Sequence, residues 1–201
     1  MVNIAVFCSG NGTNLQAIIN AIKAKKLKGV RIALVVSDNP KAYALKRAIK
    51  AKIKILVVRP EDFKSKSHFE QHIIEELNKE KVGLLVLAGF MRIVGRDLLN
   101  AYPNKILNIH PALLPSFKGA NGIKDAFDYG VKVTGVTVHF VDNKMDHGPI
   151  ILQQAVPIKQ SDTVGSLERR IHKVEHRLYY KAIQLVCRDR LIIKGRKVIK
   201  K

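Results

Sequence analysis

Short apolar runs alternate with segments of helical periodicity over the first 110 residues of the chain. The runs predict strands at residues 3–8, 31–37, 53–58, 84–87 and 106–109, and the segments between them predict helices near residues 14–26, 40–51, 67–80 and 96–101. Asn39 before Pro40, and Ser67 with Glu70, are interpreted as helix-start signals. Continuous Val, Ile and Leu runs are typical of parallel strands buried on both faces. The pattern therefore predicts an α/β fold with a doubly wound, mostly parallel sheet.

The pattern changes after His110. A loop rich in Pro and Gly extends to Gly122 and precedes a predicted helix at 123–129. Long strands are predicted at 133–141 and 150–158, a long helix at about 163–187, and a terminal hairpin that turns at Lys194-Gly195. We expect these C-terminal strands to be antiparallel and the whole chain, residues 1–201, to form a single domain.

The charge of the chain raises the question of a nucleic-acid partner. There are 36 Lys and Arg against 16 Asp and Glu, which gives a net charge of +20. A hydrophobic fraction of 47% excludes a disordered polycation. Residues 20–70 carry 14 basic and 4 acidic side chains, residues 169–201 carry 12 and 2, and the remainder is balanced. Because the cations lie opposite apolar stripes of predicted helices, a solvated surface is favoured over a nucleic-acid interface.

Cysteine usage and the N-terminus restrict the class of protein further. Cys8 and Cys187 cannot form a disulfide framework, and no Cys/His cluster indicates structural zinc, so a reducing cytoplasm is expected. The N-terminal segment has no basic region and only a short apolar run, which favours a first strand over a signal peptide or membrane span. His68 and His72 have a spacing that could bind metal but lack a supporting motif, so no metal site is predicted.

The first motif with chemical meaning is Cys8-Ser-Gly-Asn-Gly-Thr-Asn-Leu15, between the first strand and the first helix. Glycines let the backbone approach an anion, and a helix N-terminus offers free N–H groups. The motif is not a dinucleotide fingerprint, because Leu15 occupies the place of the third glycine. Phosphate binding is one interpretation, and a tight turn capped by Thr13 is the other.

The second motif is Asn108-Ile-His110 at the end of the fifth predicted strand. Alternate residues of a strand share a face, so an amide and an imidazole project together at the carboxyl edge of the sheet, where ligands bind. Such a pair can stabilise an oxyanion and move its proton. A structural role is the alternative unless a carboxylate partner is present. Asp146, in a polar segment between two strands, is the candidate for that partner, although the segment is equally typical of a simple turn.

Four segments together resemble a known family. They are Ser9-Gly-Asn-Gly-Thr-Asn-Leu15, Leu87-Ala-Gly-Phe-Met-Arg-Ile93, Asn108-Ile-His-Pro-Ala-Leu-Leu-Pro115, and Gly135-Val-Thr-Val-His-Phe-Val141 with Met145-Asp-His-Gly-Pro149. In this order they closely resemble the phosphoribosylglycinamide formyltransferases, within the formyltetrahydrofolate-dependent formyltransferase superfamily. The resemblance implies a cytoplasmic enzyme of purine biosynthesis that formylates glycinamide ribonucleotide with 10-formyltetrahydrofolate and needs no metal. It also implies small-molecule partners, no specific nucleic acid, no membrane, and a monomer or weak homodimer.

The resemblance also implies roles for particular residues. Asn108 would bind the formyl oxygen, His110 would donate a proton, and Asp146 would favour the protonated form of His110. The implied nucleotide-binding residues are Gly12, Thr13, Asn14, His172, Lys173, Val174 and Glu175, with Glu175 on the ribose. The implied folate-binding residues are Lys66, Met91, Arg92, Ile93, Val94, Asn108, Asp142, Asn143, Lys144, Met145 and Asp146. Residues 1–110 would form the nucleotide-binding half, and residues 111–201 the folate and catalytic half.

Several positions depart from the family pattern. Lys66 stands where an arginine contacts the folate, Ala112 replaces a common serine, Asn121 a frequent histidine, and His147 a small residue. A methionyl-tRNA formyltransferase is the main rival, and a non-catalytic nucleotide-binding or RNA-binding module is the other. The length of 201 residues favours the first interpretation over the tRNA enzyme, which resembles this core plus a further domain. The excess positive charge could also steer anionic substrates to the site.

Overall fold

A computed structural model describes residues 1–201, which form two compact units, Met1–Leu107 and Asn108–Lys201. The elements of the first unit are β1 (Val2–Phe7), α1 (Thr13–Lys23), β2 (Val30–Ser37), α2 (Tyr43–Lys50), β3 (Lys54–Val57), a 3₁₀ turn (Pro60–Asp62), α3 (Lys66–Lys79), β4 (Leu84–Leu87) and α4 (Arg96–Ala101). Strand β5 (Ile106–His110) crosses the boundary between the units. The second unit continues with α5 (Gly122–Tyr129), β6 (Val133–Phe140), β7 (Ile150–Pro157), α6 (Val164–Cys187), β8 (Leu191–Lys194) and β9 (Lys197–Lys200).

Seven strands form one sheet in the order β3-β2-β1-β4-β5-β6-β7, and β8 and β9 form a separate hairpin. Strand β1 pairs in parallel with β2 and β4, and β2 pairs in parallel with β3. The pairings of β6 with β7 and of β8 with β9 are antiparallel. The predicted fold class, a doubly wound and mostly parallel sheet with antiparallel C-terminal strands, is confirmed. The predicted assignment of nucleotide and folate binding to residues 1–110 and 111–201 stays a prediction.

The apolar pattern explains these elements. All four residues of β4 are buried, as are the last four of β1, so both strands lack a polar face. Helix α1 buries Leu15, Ile18 and Ile19 along one stripe. Parallel strands with two buried faces place their carboxyl ends at one edge of the sheet, where the following loops are free to carry chemistry.

The two predicted helix-start signals are wrong. Helix α2 begins at Tyr43, and the Asn39 side chain instead accepts from Lys41 N and donates to Ser9 O. The cap of α3 is Ser65, whose hydroxyl accepts from His68 N at 3.3 Å. The side chains of Asn39 and Ser67 instead donate to residues distant in sequence, Ser9 O and Asp97 Oδ2. Short polar side chains can bond to such acceptors as well as to the local backbone, and the local sequence does not show which they choose.

Glu70, the second half of the predicted capping box, caps a different helix. Its buried carboxylate accepts from Gly95 N at 2.5 Å and Leu98 N at 3.3 Å, at the start of α4. A carboxylate at a helix N-terminus satisfies free N–H groups and complements the helix dipole. A Cβ at Gly95 would meet the Glu70 carboxylate at 2.5 Å, so this cap depends on glycine.

Candidate active site

The carboxylate of Asp146 connects the predicted catalytic residues. Its Oδ1 accepts from Asn108 Nδ2 at 3.3 Å, and its Oδ2 lies 3.4 Å from His110 Nδ1. Gly119 N donates to Oδ2 at 2.9 Å. The structure therefore brings together the three residues predicted to be catalytic, although Asp146 lies far from the other two in sequence. The carboxylate partner that the Asn-x-His motif required is present.

Backbone geometry aims Asp146 at this cluster. The residue has a φ of 46°, a left-handed conformation that L residues other than Asn and Asp rarely adopt. The segment around it returns closely on itself, since Phe140 N donates to Pro149 O at 2.9 Å. Gly148 packs directly against the Phe140 carbonyl, so any Cβ at that position would overlap this oxygen. A tight, glycine-dependent loop thus holds Asp146 in its unusual conformation.

The environment of Asp146 favours its ionised form. Burial of the side chain, which is 8% exposed, would by itself raise its pKa. The nearby His139 imidazole, the hydrogen bond from Gly119 N and the proximity of His110 outweigh burial, so the pKa of Asp146 lies below its ordinary value. Asp146 is therefore a carboxylate near neutral pH and can act as a fixed negative charge.

Both nitrogens of His110 face acceptors. Its Nε2 lies 2.7 Å from the carbonyl oxygen of Phe117, which can only accept, so Nε2 carries a proton and donates. Its Nδ1 lies 3.4 Å from Oδ2 of the Asp146 carboxylate, the oxygen that also accepts from Gly119 N. The ring is therefore held between a backbone carbonyl and a carboxylate. Gly122 permits this arrangement, because a Cβ there would lie 3.2 Å from His110 Nε2 and 2.9 Å from Phe117 O.

His139 is a further site residue, and it was not predicted from the sequence. It is buried in β6, and its Nδ1 donates to the carbonyl of Phe140 at 2.7 Å. Its Nε2 lies 3.4 Å from Asn108 Nδ2 and 3.7 Å from Asp146 Oδ1. A polar residue within a strand that is otherwise buried was the available signal, because buried polar groups need partners.

Thr137 and Gln153 support the loop after His110. The Thr137 hydroxyl donates to Ala112 O at 2.7 Å and accepts from Leu114 N at 3.1 Å. Gln153 Nε2 donates to Leu114 O at 2.9 Å. These bonds satisfy the buried backbone that follows the Asn-x-His motif, and neither side chain was predicted to take part.

In the first unit, the loop before α1 matches the predicted anion site in shape. Gly12 has a φ of 74°, and a Cβ there would lie 2.7 Å from the Cβ of Ala44 on α2. Helix α1 begins at Thr13, and no side chain caps its first turn, which has no acidic residue. The Thr13 cap considered from sequence is therefore wrong. Arg47 adds positive charge here by donating to Asn11 O and Oδ1, both at 2.8 Å.

The segment Met91–Val94, predicted to bind folate, is tied to the start of the same loop. Met91 N donates to Ser9 Oγ at 2.9 Å, and Ser9 Oγ donates to Asp38 Oδ1 at 2.6 Å. Arg92 Nε donates to Asp38 Oδ2 at 2.8 Å. Met91 and Ile93 expose 72% and 66% of their surface. Lys66 is exposed at the first position of α3.

The predicted nucleotide-binding stretch 172–175 lies on α6. His172 Nδ1 is 2.7 Å from the buried carboxylate of Glu175, and His172 Nε2 is 3.4 Å from Glu168. The bond with Glu175 and, less strongly, the Glu168 charge raise the pKa of His172 despite burial. Lys173 is exposed, and Val174 is half-buried.

Comparison with known proteins decides the family. The sequence profile of the formyl transferase family, described as "Formyl transferase", matches residues 2–183. The chain belongs to the formyl transferase family. The phosphoribosylglycinamide formyltransferase of Bacillus subtilis (strain 168) is 46% identical over 184 residues, which cover 92% of this chain and 94% of that protein. The trifunctional purine biosynthetic protein adenosine-3 of Gallus gallus is 45% identical over 92% of this chain but only 18% of its own length.

Solved structures agree with this assignment. The glycinamide ribonucleotide transformylase 1 of Symbiobacterium toebii superposes on this formyl transferase with a TM-score of 0.96 and 46% identity. The alignment covers 100% of this chain and 94% of that one. The corresponding enzyme of Geobacillus kaustophilus gives a TM-score of 0.90 and 46% identity over 92% of this chain and 98% of that one.

Two further features bear on function. No group of three or more His, Cys, Asp or Glu side chains in residues 1–201 is arranged to hold a metal ion. None of the six α-helices combines the length and the apolar surface needed to cross a bilayer. His68 and His72 have other partners, since His68 Nδ1 contacts Ser65 Oγ at 2.8 Å and His72 packs on Phe63.

Proposed function

We propose that this formyl transferase moves the formyl group of 10-formyltetrahydrofolate to the amine of glycinamide ribonucleotide, giving N-formylglycinamide ribonucleotide in de novo purine biosynthesis. The observation that carries the proposal is the Asp146 carboxylate in contact with Asn108 and close to His110. The names of the relatives support the choice of acceptor. The cluster is suited to acyl transfer, because it combines an amide donor with an imidazole that can donate a proton.

The reaction requires few groups. The amine attacks the formyl carbon, and a tetrahedral oxyanion forms. When the bond from carbon to N10 of the folate breaks, the attacking amine loses one proton and N10 gains one. Asn108 would donate to the oxyanion, and His110 would stabilise it and supply the proton. Each step uses groups of this chain or the substrates alone.

The contacts of Asn108 and His110 are compatible with these roles. Asn108 Nδ2 faces Asp146 and His139 at 3.3 and 3.4 Å, the weak end of the hydrogen-bond range, so a closer oxyanion would compete well for this donor. The Nε2 proton of His110 is held by Phe117 O at 2.7 Å. For His110 to serve as the acid, a substrate atom must replace this carbonyl as the acceptor.

We assign each part of the two substrates to a segment whose charge or exposed surface suits it. We propose that Gly12, Thr13 and Asn14 hold the phosphate at the uncapped start of α1. We assign His172 to Glu175 to the rest of the ribonucleotide. Met91 to Val94 and Asp142 to Asp146 would hold the pterin, whose aromatic surface suits exposed Met91 and Ile93. Lys66 would contact the folate carboxylates as a single charge, without the bidentate fork of an arginine.

A two-acceptor assay tests the proposal. Purified protein with 10-formyltetrahydrofolate should release tetrahydrofolate when glycinamide ribonucleotide is added and not when methionyl-tRNA is added. Transfer to methionyl-tRNA alone would replace the proposal with its main rival. Absence of transfer to both, together with selective RNA binding, would favour a non-catalytic module. The monomer or weak homodimer and the cytoplasmic location stay predictions.

A further inference from the structure

The loop that carries Asp146 is held by contacts of His147 as well as by those of Asp146 itself. His147 directly follows Asp146, and its Nδ1 lies 2.7 Å from Asp142 Oδ2 at the start of the loop. Asp142 Oδ1 also accepts from Lys144 N at 3.0 Å. Burial opposes ionisation of Asp142, but these hydrogen bonds outweigh it and its pKa is lowered. The Asp142 carboxylate therefore organises the loop from within, and His147 is one of its two partners.

Arg196 holds His147 from outside the loop. Its Nη2 donates to His147 O at 2.7 Å, and its Nη1 lies 3.1 Å from His147 Nε2. Nη1 also lies 3.4 Å from His147 Nδ1, so the guanidinium contacts the imidazole at both ring nitrogens. These contacts connect Arg196 through His147 to Asp142. A small residue at 147 could offer the backbone carbonyl but not the imidazole link.

Arg196 belongs to the C-terminal hairpin. It follows Gly195 in the turn between β8 and β9, where Lys194 pairs with Lys197. The hairpin lies after residue 183, where the match to the formyl transferase family ends. The closing strand β9 also contacts β7, which directly follows the Asp146 loop. The turn is thus anchored next to the segment that Arg196 bonds.

We propose that Arg196 is a positioning residue, and that the C-terminal hairpin uses it to hold the loop 142–148 in the conformation that directs Asp146 at His110. The proposal rests on the proposed function for its catalytic consequence. The left-handed φ of Asp146 makes the loop dependent on such support, because a strained conformation persists only when its surroundings fix it. Arg196 touches no reacting atom and acts through His147.

The test compares Arg196→Gln with Lys197→Gln, which removes the same charge from the next residue of the hairpin. In Arg196→Gln, we expect faster amide hydrogen exchange in residues 142–148 and unchanged exchange in β1. The value of kcat/KM should fall roughly three- to tenfold, mainly in kcat, the range that one net hydrogen bond supports. Lys197→Gln should leave both unchanged. Arg196→Lys should recover part of the rate, because one ammonium replaces only one of the two contacts.

Each outcome separates the positioning role from the proposed function. If Arg196→Gln leaves exchange in residues 142–148 unchanged, or if Lys197→Gln has the same effect, the positioning role is overturned while wild-type transfer activity stands. If the wild type transfers no formyl group, the proposed function fails, and the exchange measurement still decides whether Arg196 orders the loop. Faster exchange throughout the chain in Arg196→Gln would show a general structural role and would also overturn the proposal.

Discussion

The Asp146 cluster and the glycine loop before α1 are built in different ways. The cluster assembles side chains from β5, β6 and two loops, and nearly all its contacts join residues distant in sequence. The glycine loop is local, since a positive φ at Gly12 and the start of α1 at the next residue create its shape. We therefore expect substitutions in the cluster to change the rate of the chemical step. Substitutions in the loop should change nucleotide affinity and stability.

The largest effect is expected for Asn108→Ala. Loss of one donor to an oxyanion typically costs about 10²–10³ in rate, and the truncated side chain is only partly buried, so the fold should persist. Steady-state kinetics and circular dichroism measure the two effects. Asn100→Ala, on the exposed surface of α4, is the control. A variant with near wild-type kcat would remove Asn108 from the reaction.

Asp146→Asn should lower kcat and change the pH dependence of stability. Without the carboxylate, Asn108 and His110 lose the group that holds them together, so the rate should fall. The pKa of Asp146 lies below 3.8, so its charge stabilises the fold above that pH and this stabilisation is lost as the pH falls through the folded-state pKa. The variant should therefore lose less stability than wild type on acidification below about pH 4.

Asp128→Asn, which removes an exposed carboxylate on α5, is the control for this pair of measurements. An Asp146→Asn profile that superposes on the wild type in rate and pH dependence would contradict the assigned role.

Gly12→Ala should have a smaller effect, on binding and stability. The added Cβ meets Ala44 at 2.7 Å and the backbone must keep a φ of 74°, which together should cost about 1–3 kcal/mol in the free energy of unfolding. The KM for the ribonucleotide should rise more than kcat falls. Gly10→Ala is a matched control in the same loop, because a Cβ there would meet nothing within 4 Å and the φ of Gly10 is not positive. Equal effects of the two variants would show that the Gly12 contact is unimportant.

The smallest effects are expected at two histidines one turn apart on α6. Their contributions to stability change with pH in opposite directions. The bond with Glu175 raises the pKa of His172 above 6.5, so its contribution to stability is present below that pH and lost as the pH rises through the folded pKa. Burial lowers the pKa of His176, so its contribution is present above pH 6.5 and lost as the pH falls. We therefore compare melting temperatures with the wild type between about pH 5 and 8. As the pH rises, the melting temperature of His172→Gln should rise relative to the wild type, and that of His176→Gln should fall. Parallel changes would contradict this assignment.

Local features of the sequence predicted much of this protein. The strand β4 has its predicted bounds, and the other strands differ at their ends by a residue or two. Asn108 and His110 were identified because alternation along one strand places both on the same face. The pairing of Asp146 with them was a hypothesis from the need for a carboxylate partner and from the family resemblance. The helix caps at Asn39 and Ser67 failed because Ser9 and Asp97 offer these side chains distant partners.

By itself, the sequence determined the α/β architecture, the glycine loop and the Asn-x-His pair, because each depends on periodicity or on backbone freedom within a few residues. Only the tertiary structure decided what surrounds Asp146: the contacts of His139 and Gly119, the Phe117 carbonyl on His110, and the bond from Arg196 to His147. These contacts join distant parts of the chain. A carboxylate's charge and direction depend on burial and on those neighbours, and neither is encoded in the residues adjacent to it.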